Sequence, residues 1–433
     1  MSRFRVLLIL LALVSGCTSE RPQFGGPGSA GGAAPMGGSP LGSGGSGSGA
    51  TGGQTNSGAT GGQTSTGGAI GTGGDAGASL GGTSGTGGGT NTGGSGGAPP
   101  IECSGKGSVD LVCIGVNVVR CGTAGSAPTM VQACEGNTPL CVAGACVGRS
   151  CDGLPSNCGP SGNESCCTSL LVPGATFNRN NDPATPATVS DYLLDKYEIT
   201  AGRFRKFRAG YDAWRSAGHP LPAEGVHELI PGTGWVPGWT LPANQTALDL
   251  AIQCDGNLVW TDAPGDNETR PMNCLDWFTA SAFCAWDGGR LPTEAEWENA
   301  ATGGGEQQRV YPWGSTVPGN NGALCAHDCY YDGVAVCSAA DIPPVGSIPA
   351  GNGKYGHADL AGSMQEWIFD WTSNYITPCI DCAETTNATA RGFRGGAWAP
   401  GATDELLARQ RVNGPPLTKA SSTGARCARK TPR

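Results

Sequence analysis

The stretch Gly289-Arg-Leu-Pro-Thr-Glu-Ala-Glu-Trp-Glu-Asn-Ala-Ala301 decides how the rest of the chain is read. It sets Glu294, Glu296 and Glu298 within five positions. Such a cluster can perform acid–base chemistry or hold a metal; it can also be the front end of a helix. Local chemistry favours the helix. Thr293 followed by Glu296 has the capping-box spacing: the hydroxyl meets the N3 amide and the carboxylate reaches back to the cap amide. Pro292 precedes the cap, and acidic residues in the first turn suit the positive end of the helix dipole. Trp297, Ala300 and Ala301 are expected to share the inward face, and Thr302-Gly-Gly-Gly-Glu306 to stop the helix. Glu294 and Glu296 are thereby explained without catalysis.

Working outward, Asp191-Tyr-Leu-Leu-Asp-Lys-Tyr-Glu-Ile-Thr200 reads as a strand. Thr200 then caps a helix in which Phe204, Phe207, Tyr211 and Trp214 fall at spacings of three, four and three, one buried stripe. Residues 277–289 read as a short helix with Thr279 as its N-cap, Phe283 and Cys284 facing inward, and Gly288-Gly289 ending it. Elsewhere the C-terminal part is rich in Gly, Pro and Trp. The expected fold is one irregular α+β domain, low in regular secondary structure and stapled by disulfides.

Bulk composition narrows the function classes. The 433 residues are 14% charged, with a net charge of −9 and no basic run. Nucleic-acid surfaces need clustered cations, so no nucleic-acid partner is expected. Twenty cysteines without a repeated zinc-spaced CxxC pair indicate disulfides in an oxidising compartment. The N-terminus agrees. Arg3 and Arg5 precede an apolar run, Val6 to Val14, too short to span a bilayer. This reads as a secretory signal. Val14-Ser-Gly-Cys17 resembles a bacterial lipobox, so residues 1–17 are expected to be a lipoprotein signal with Cys17 lipidated. Thr18 after it suits outer-membrane or cell-surface sorting. Nineteen cysteines follow Cys17, an odd number, which leaves at least one thiol free or bonded between molecules.

Residues 18–100 read as a disordered linker rich in Gly, Ser and Thr. Gly fills 33 of the 80 positions from 21 to 100, and nothing apolar offsets the entropy of ordering the backbone. Residues 101–149 carry Cys103, Cys113, Cys121, Cys134, Cys141 and Cys146, a small disulfide module with fifteen possible pairings. Residues 150–433 form the main domain, entered through a cystine-rich joint at 150–167.

Four segments of that domain resemble the sulfatase-modifying-factor, or formylglycine-generating enzyme, family. They are 195–207 (DKYEITAGRFRKF), 270–304 with Tyr311-Pro-Trp-Gly314, 343–371 (containing DLAGSMQEW) and 391–411 (RGFRGGAWAPGATDELLARQR), closing with Gly424-Ala-Arg-Cys-Ala-Arg429. The resemblance implies a variant of the C-type lectin fold. It also implies an oxidoreductase that converts a sulfatase cysteine to formylglycine with O₂ and a copper ion held by two cysteines. Here those cysteine positions are Pro400 and Glu405, and neither supplies the soft thiolate that Cu(I) requires. Ala397 stands where the family has Ser after RGG, and Gln365 where it has Trp before the Glu of its GNxWEW motif. Copper is therefore not expected, and no catalytic residue is assigned. Cys379-Ile-Asp-Cys382 reads as a disulfide rather than a copper site. His219, His227, His327 and His357 lack the spacing for a histidine-bound iron of the kind found in the related ergothioneine sulfoxide synthases.

Residue matching does preserve a calcium site. Asp359 and Glu366 would bind through side chains, Gly362 and Met364 through carbonyls, a hard-oxygen set suited to Ca²⁺. A second calcium site is not recognisable, since Leu324 stands where a carboxamide is expected. The resemblance also pairs Cys284 with Cys427; Cys254, Cys274, Cys325, Cys329 and Cys337 are expected to staple loops. Two functions follow. One is a lipid-anchored, non-catalytic surface module that binds a peptide, protein or glycan. The other is an oxidoreductase of the family with altered chemistry.

Overall fold

The computed structural model describes Cys103 and residues 110–114, 117–122, 128–135, 138–317, 339–386, 388–398 and 403–432. Cys17, the linker, Leu324, Cys325, His327, Cys329, Cys337 and Pro400 lie outside them.

In the cysteine-rich module, β1 (Leu111–Ile114), β2 (Asn117–Arg120) and β3 (Thr129–Ala133) form an antiparallel sheet, and β4 (Leu140–Val142) pairs with β5 (Ala145–Val147). The hydrophobic residues here are few, and disulfides supply the constraint: Cys103–Cys121, Cys113–Cys141 and Cys134–Cys146. The joint that follows is held by Cys151–Cys167 and Cys158–Cys166.

The described residues of the main domain form ten short strands and four helices in mixed order. They are β6 (Ser169–Val172), β7 (Ala175–Asn178), β8 (Pro186–Val189), β9 (Tyr192–Asp195), α1 (Ala201–Ser216), α2 (Gln245–Ala251), α3 (Trp277–Trp286), α4 (Glu294–Thr302), β10 (Gln365–Trp371), β11 (Cys379–Ile380), β12 (Arg391–Arg394), β13 (Val412–Gly414), β14 (Thr423–Gly424) and β15 (Ala428–Lys430). Among the described residues they make three small sheets, ordered β13-β12-β10-β14, β11-β8-β7 and β15-β9-β6. The last places the C-terminal strand beside β9, with Arg429 opposite Leu193. This is the expected irregular α+β architecture, rich in loops and disulfides.

Thr200 caps α1 as its sequence indicates, its hydroxyl accepting from the Arg203 amide at 3.2 Å. Phe204, Phe207, Tyr211 and Trp214 are all buried. Phe207 sits at the centre, 5.2 Å from the Tyr211 ring and 5.3 Å from Trp286 on α3. Side chains of this size contribute about 1.5–3 kcal/mol each when fully buried, so this cluster dominates the α1–α3 contact.

The cap of α3 differs from expectation. Asp276, not Thr279, is the N-cap: its carboxylate accepts from the Thr279 amide at 2.7 Å. Trp277 and Phe278 belong to the first turn, and both rings pack against Trp239. Thr279 is buried in the helix. The helix ends at Asp287, and Gly288 then takes a positive φ of 75°.

The capping box of α4 is complete, with Thr293 and Glu296 each bonded to the other's amide, and Gly303 closes the helix at φ 74°. The burial is more extensive than one inward face. All nine residues from Glu294 to Thr302 are buried, the three glutamates included.

Candidate functional site

A buried charge must be paired or neutralised, and each glutamate of α4 has an arginine. Glu296 receives both terminal nitrogens of Arg290 at 2.6 Å, and His227 Nε2 lies 3.2 Å away. Burial raises its carboxyl, but the Arg290 charge and the His227 contact outweigh it and hold the group well below the usual range. Glu294 receives Arg411 at 2.5 and 2.9 Å, and Arg394 at 2.8 Å. Glu298 shares Arg394 at 2.8 Å and accepts from the Asn180 amide at 2.6 Å. The cluster therefore clamps distant segments onto one helix.

Arg394 ends β12 and opens the RGG turn. Gly395 and Gly396 have φ of 96° and 71°. A Cβ on Gly395 would stand 3.0 Å from the Leu360 carbonyl oxygen, and one on Gly396 3.1 Å from Leu406. Both demands, left-handed backbone and close approach, select glycine. The turn is zipped to the loop 359–364: the Gly362 amide donates to the Gly395 carbonyl, and the Trp398 amide to the Ser363 carbonyl, each at 2.7 Å. Ala397 is buried beside it. Glu405 follows in the turn Thr403–Leu406, its backbone against Gly396. Desolvation raises its carboxyl. Gln365 lies at the start of β10, opposite Thr423.

The donor set near this turn does not fit copper. Position 405 offers a carboxylate and position 397 a methyl group. Every cysteine among the described residues is in a disulfide, Cys379–Cys382 and Cys254–Cys274 included. Cys284 and Cys427 are bonded to each other across 143 residues, joining α3 to the segment before β15.

The loop 359–366 holds more negative charge than its neighbours neutralise. Glu366 is fully buried, with Arg426 donating at 2.6 and 2.8 Å and the Trp297 indole at 3.0 Å. Glu198, also fully buried, accepts from Ser363 Oγ at 2.8 Å and the Met364 amide at 3.0 Å. Asp359 accepts from the Gly346 amide at 2.6 Å. Burial, then the charges of Asp359 and Glu366, raise Glu198 well above the usual range. Burial above all pushes Asp359 up to about 6, with the Glu366 charge adding to it. Three carboxylates thus surround one guanidinium, and a divalent cation fits the excess charge. Positive φ at Asp359, Gly362 and Ser363 gives the loop its tight curl. Among the described residues no three His, Cys, Asp or Glu side chains converge on one point. An ion here would therefore need main-chain oxygens as well.

Sequence reasoning passed over Glu198 and Arg426. It also missed a second buried network in which Arg203 spans Asp195 at 2.9 Å and Asp287 at 2.6 Å, with Arg429 on the same two carboxylates. The available signal was a charged residue set among apolar or small neighbours in a strand-like run, as in Leu194-Asp-Lys-Tyr-Glu-Ile199 and Ala425-Arg-Cys-Ala-Arg429.

The family model described as the sulfatase-modifying factor enzyme 1-like domain matches residues 156–431, well over half of the chain. The chain belongs to the sulfatase-modifying factor family. The formylglycine-generating enzyme of Thermomonospora curvata is 30% identical over 302 residues, covering 60% of this chain and 92% of that protein. The inactive Cα-formylglycine-generating enzyme 2 of Mus musculus is 33% identical over 291 residues, covering 59% and 84%. Among solved structures, that of PvdO from Pseudomonas aeruginosa covers 66% of this chain and 98% of its own, at 18% identity and a TM-score of 0.42.

Proposed function

We propose that this sulfatase-modifying-factor domain is a non-catalytic binding module, displayed from the cell envelope by lipid on Cys17. The observation that carries this reading is Glu405 at a position where copper chemistry needs a thiolate, with Ala397 in place of the neighbouring hydroxyl. A hard carboxylate is a poor ligand for Cu(I). The name of the Mus musculus relative adds support, since that protein is called inactive. The eight disulfides among the described residues suit an extracellular or envelope setting. No helix among the described residues is long and apolar enough to cross a membrane. The bound partner is a peptide, protein or glycan met by loops on a rigid frame.

Calcium belongs to this reading as a structural ion. Asp359, Glu366 and the carbonyls of Gly362 and Met364 would hold it, and it would offset the charge that Arg426 leaves unbalanced. It would also stiffen the loop to which the RGG turn is zipped.

The second reading is an oxidoreductase, favoured by the similarity to the Thermomonospora curvata enzyme along nearly its whole length. One experiment separates the two. The full-length protein is purified, its metals are quantified, and O₂ uptake is followed with a cysteine-containing peptide. Calcium without copper, and no uptake, supports the binding module. Copper near one equivalent with peptide-dependent uptake overturns it.

A further inference from the structure

Among the described residues, Cys379 and Cys382 close the shortest disulfide loop, with a sequence separation of 3 against 8 to 143 for the others. A loop this short removes the least entropy from the unfolded chain, so this bond does least for the fold. It also lies at the surface. Thr377, Pro378 and Ile380 are exposed, Ile380 at 71%; Cys382 is half-buried, and Cys379 is buried. The strand that carries Cys379 and Ile380, β11, is the edge of its sheet among the described residues. Of the two cysteines, Cys382 is therefore the one open to an incoming group.

The turn between them is strained. Asp381 has a φ of 42°, a costly conformation for a residue with a Cβ. Ser190 holds it there, its amide and hydroxyl donating to the two carboxylate oxygens at 2.7 Å each. Arg179 supplies a cation on the sulfur side. Its Nη1 lies 3.9 Å from Cys382 Sγ, while Nε and Nη2 donate to the main-chain carbonyls of Thr185 at 3.3 Å and Ile376 at 2.5 Å. Arg179 is 2% exposed, so solvent and salt screen its field little. A guanidinium so placed favours a thiolate on Cys382 over the neutral disulfide. Stabilising the reduced form makes the disulfide a stronger oxidant.

We infer that Cys379–Cys382 is an exchangeable disulfide that accepts two electrons from a dithiol, with Cys382 as the sulfur attacked. A thiolate of the dithiol attacks Cys382 Sγ, the Cys379–Cys382 bond breaks, and Cys379 leaves with the electron pair. The second thiolate of the dithiol then attacks its neighbour's sulfur in the mixed disulfide, and Cys382 leaves as a thiolate beside Arg179. Both protons of the dithiol pass to solvent, which returns one to Cys379. The dithiol ends as a disulfide, and its two electrons rest on Cys379 and Cys382. The exchange uses no metal and no residue of the RGG turn, so it and the metal analysis succeed or fail separately.

The test places the oxidised full-length protein in graded dithiothreitol. Alkylation with peptide mass spectrometry reads each disulfide, and circular dichroism reads the fold. Cys379–Cys382 is expected to open with the fold intact, at a dithiothreitol concentration at least about tenfold below that which opens Cys284–Cys427. Cys379→Ser leaves Cys382 as a single thiol. The folded variant is expected to release one equivalent of thionitrobenzoate from an aromatic disulfide reagent, beyond any released by the parent protein. Cys382→Ser leaves the buried Cys379, expected to react at least about tenfold more slowly. In the Cys379→Ser protein, Arg179→Met is expected to slow Cys382 about three- to ten-fold at pH 7, and Arg179→Lys to slow it less. The dithiothreitol and cysteine measurements keep Arg179 and stand without those variants. Opening no earlier than Cys284–Cys427, opening only as the dichroism signal is lost, a Cys382 thiol inert in the folded protein, Cys379 reacting as fast as Cys382, or a Cys382 rate indifferent to Arg179→Met overturns the inference.

Discussion

Arg394→Met tests whether the glutamates of α4 are structural anchors or reactive groups. The guanidinium it removes is 1% exposed and lies 2.8 Å from both Glu294 and Glu298. Methionine keeps most of the stem's packing, so the change removes the charge together with the bonds that Nη1 donates to the Ala408 and Gln410 carbonyls at 3.5 and 3.2 Å. Glu294 retains Arg411 at 2.5 Å, but Glu298 keeps only the Asn180 amide. Removing one partner of a buried pair costs about 3–5 kcal/mol; with one of two carboxylates still compensated, the lower end applies, about 3 kcal/mol. For a domain of this size that corresponds to a fall in Tm of about 6–12 °C. Burial already raises Glu298, and without Arg394 it rises further. The raised carboxyl binds its proton in the folded state, so the deficit is small in acid and grows as pH rises. Circular-dichroism melts at pH 4 and pH 7, under oxidising conditions, read both quantities. A double-mutant cycle with Glu298→Gln should show a coupling above 1 kcal/mol. A Tm change under 2 °C at pH 7, or a Glu298→Gln penalty that ignores residue 394, would refute the anchoring role.

Other expectations are equally direct. Replacing Cys284 and Cys427 together by Ala frees a loop of 143 residues, and chain entropy puts the loss near 5 kcal/mol; denaturant titration of the oxidised variant measures it. Asp370 is pushed up to about 7 by burial and by the nearby Glu294 charge. Its folded form therefore holds a proton that the unfolded chain releases near 3.8, and its contribution is lost as pH climbs from about 4 to 7. Asp370→Asn should flatten that descent by up to about 1.4 kcal/mol per pH unit, read from Tm against pH. Calcium should raise the Tm of the chelator-treated protein, by about 2.7 kcal/mol of stability at a hundred times its Kd, and Asp359→Asn should abolish the increment. Scanning calorimetry with and without chelator decides this.

Local chemistry was legible where a short stretch contained both partners. Thr293 and Glu296 are three residues apart, and their reciprocal bonds follow from that spacing. The aromatic stripe of α1 is likewise a matter of helical period. Even at short range, competing donors mislead: Thr279 and Asp276 both suit a cap, and the inward packing of Trp277 decided for Asp276. Long-range partners left little trace. Glu298 meets Arg394 across 96 residues and Asp195 meets Arg429 across 234. At the candidate site, Glu405 and Ala397 could be read as departures from the family. The burial of Ala397, the approach of the Glu405 backbone to Gly396, and the surplus of carboxylates around Arg426 emerge only when the loops assemble.

The short run from Arg426 to Arg429 completes a carboxylate cluster, a disulfide, a sheet edge and the Asp195–Asp287 network in four consecutive positions. A chain emerging from its N-terminus cannot close its interior until these residues arrive. During synthesis or passage through a translocon the domain must wait, open and threadable, for its final stitch. A stop codon anywhere upstream of Arg426 should therefore yield a protease-sensitive polypeptide and not a slightly weakened one.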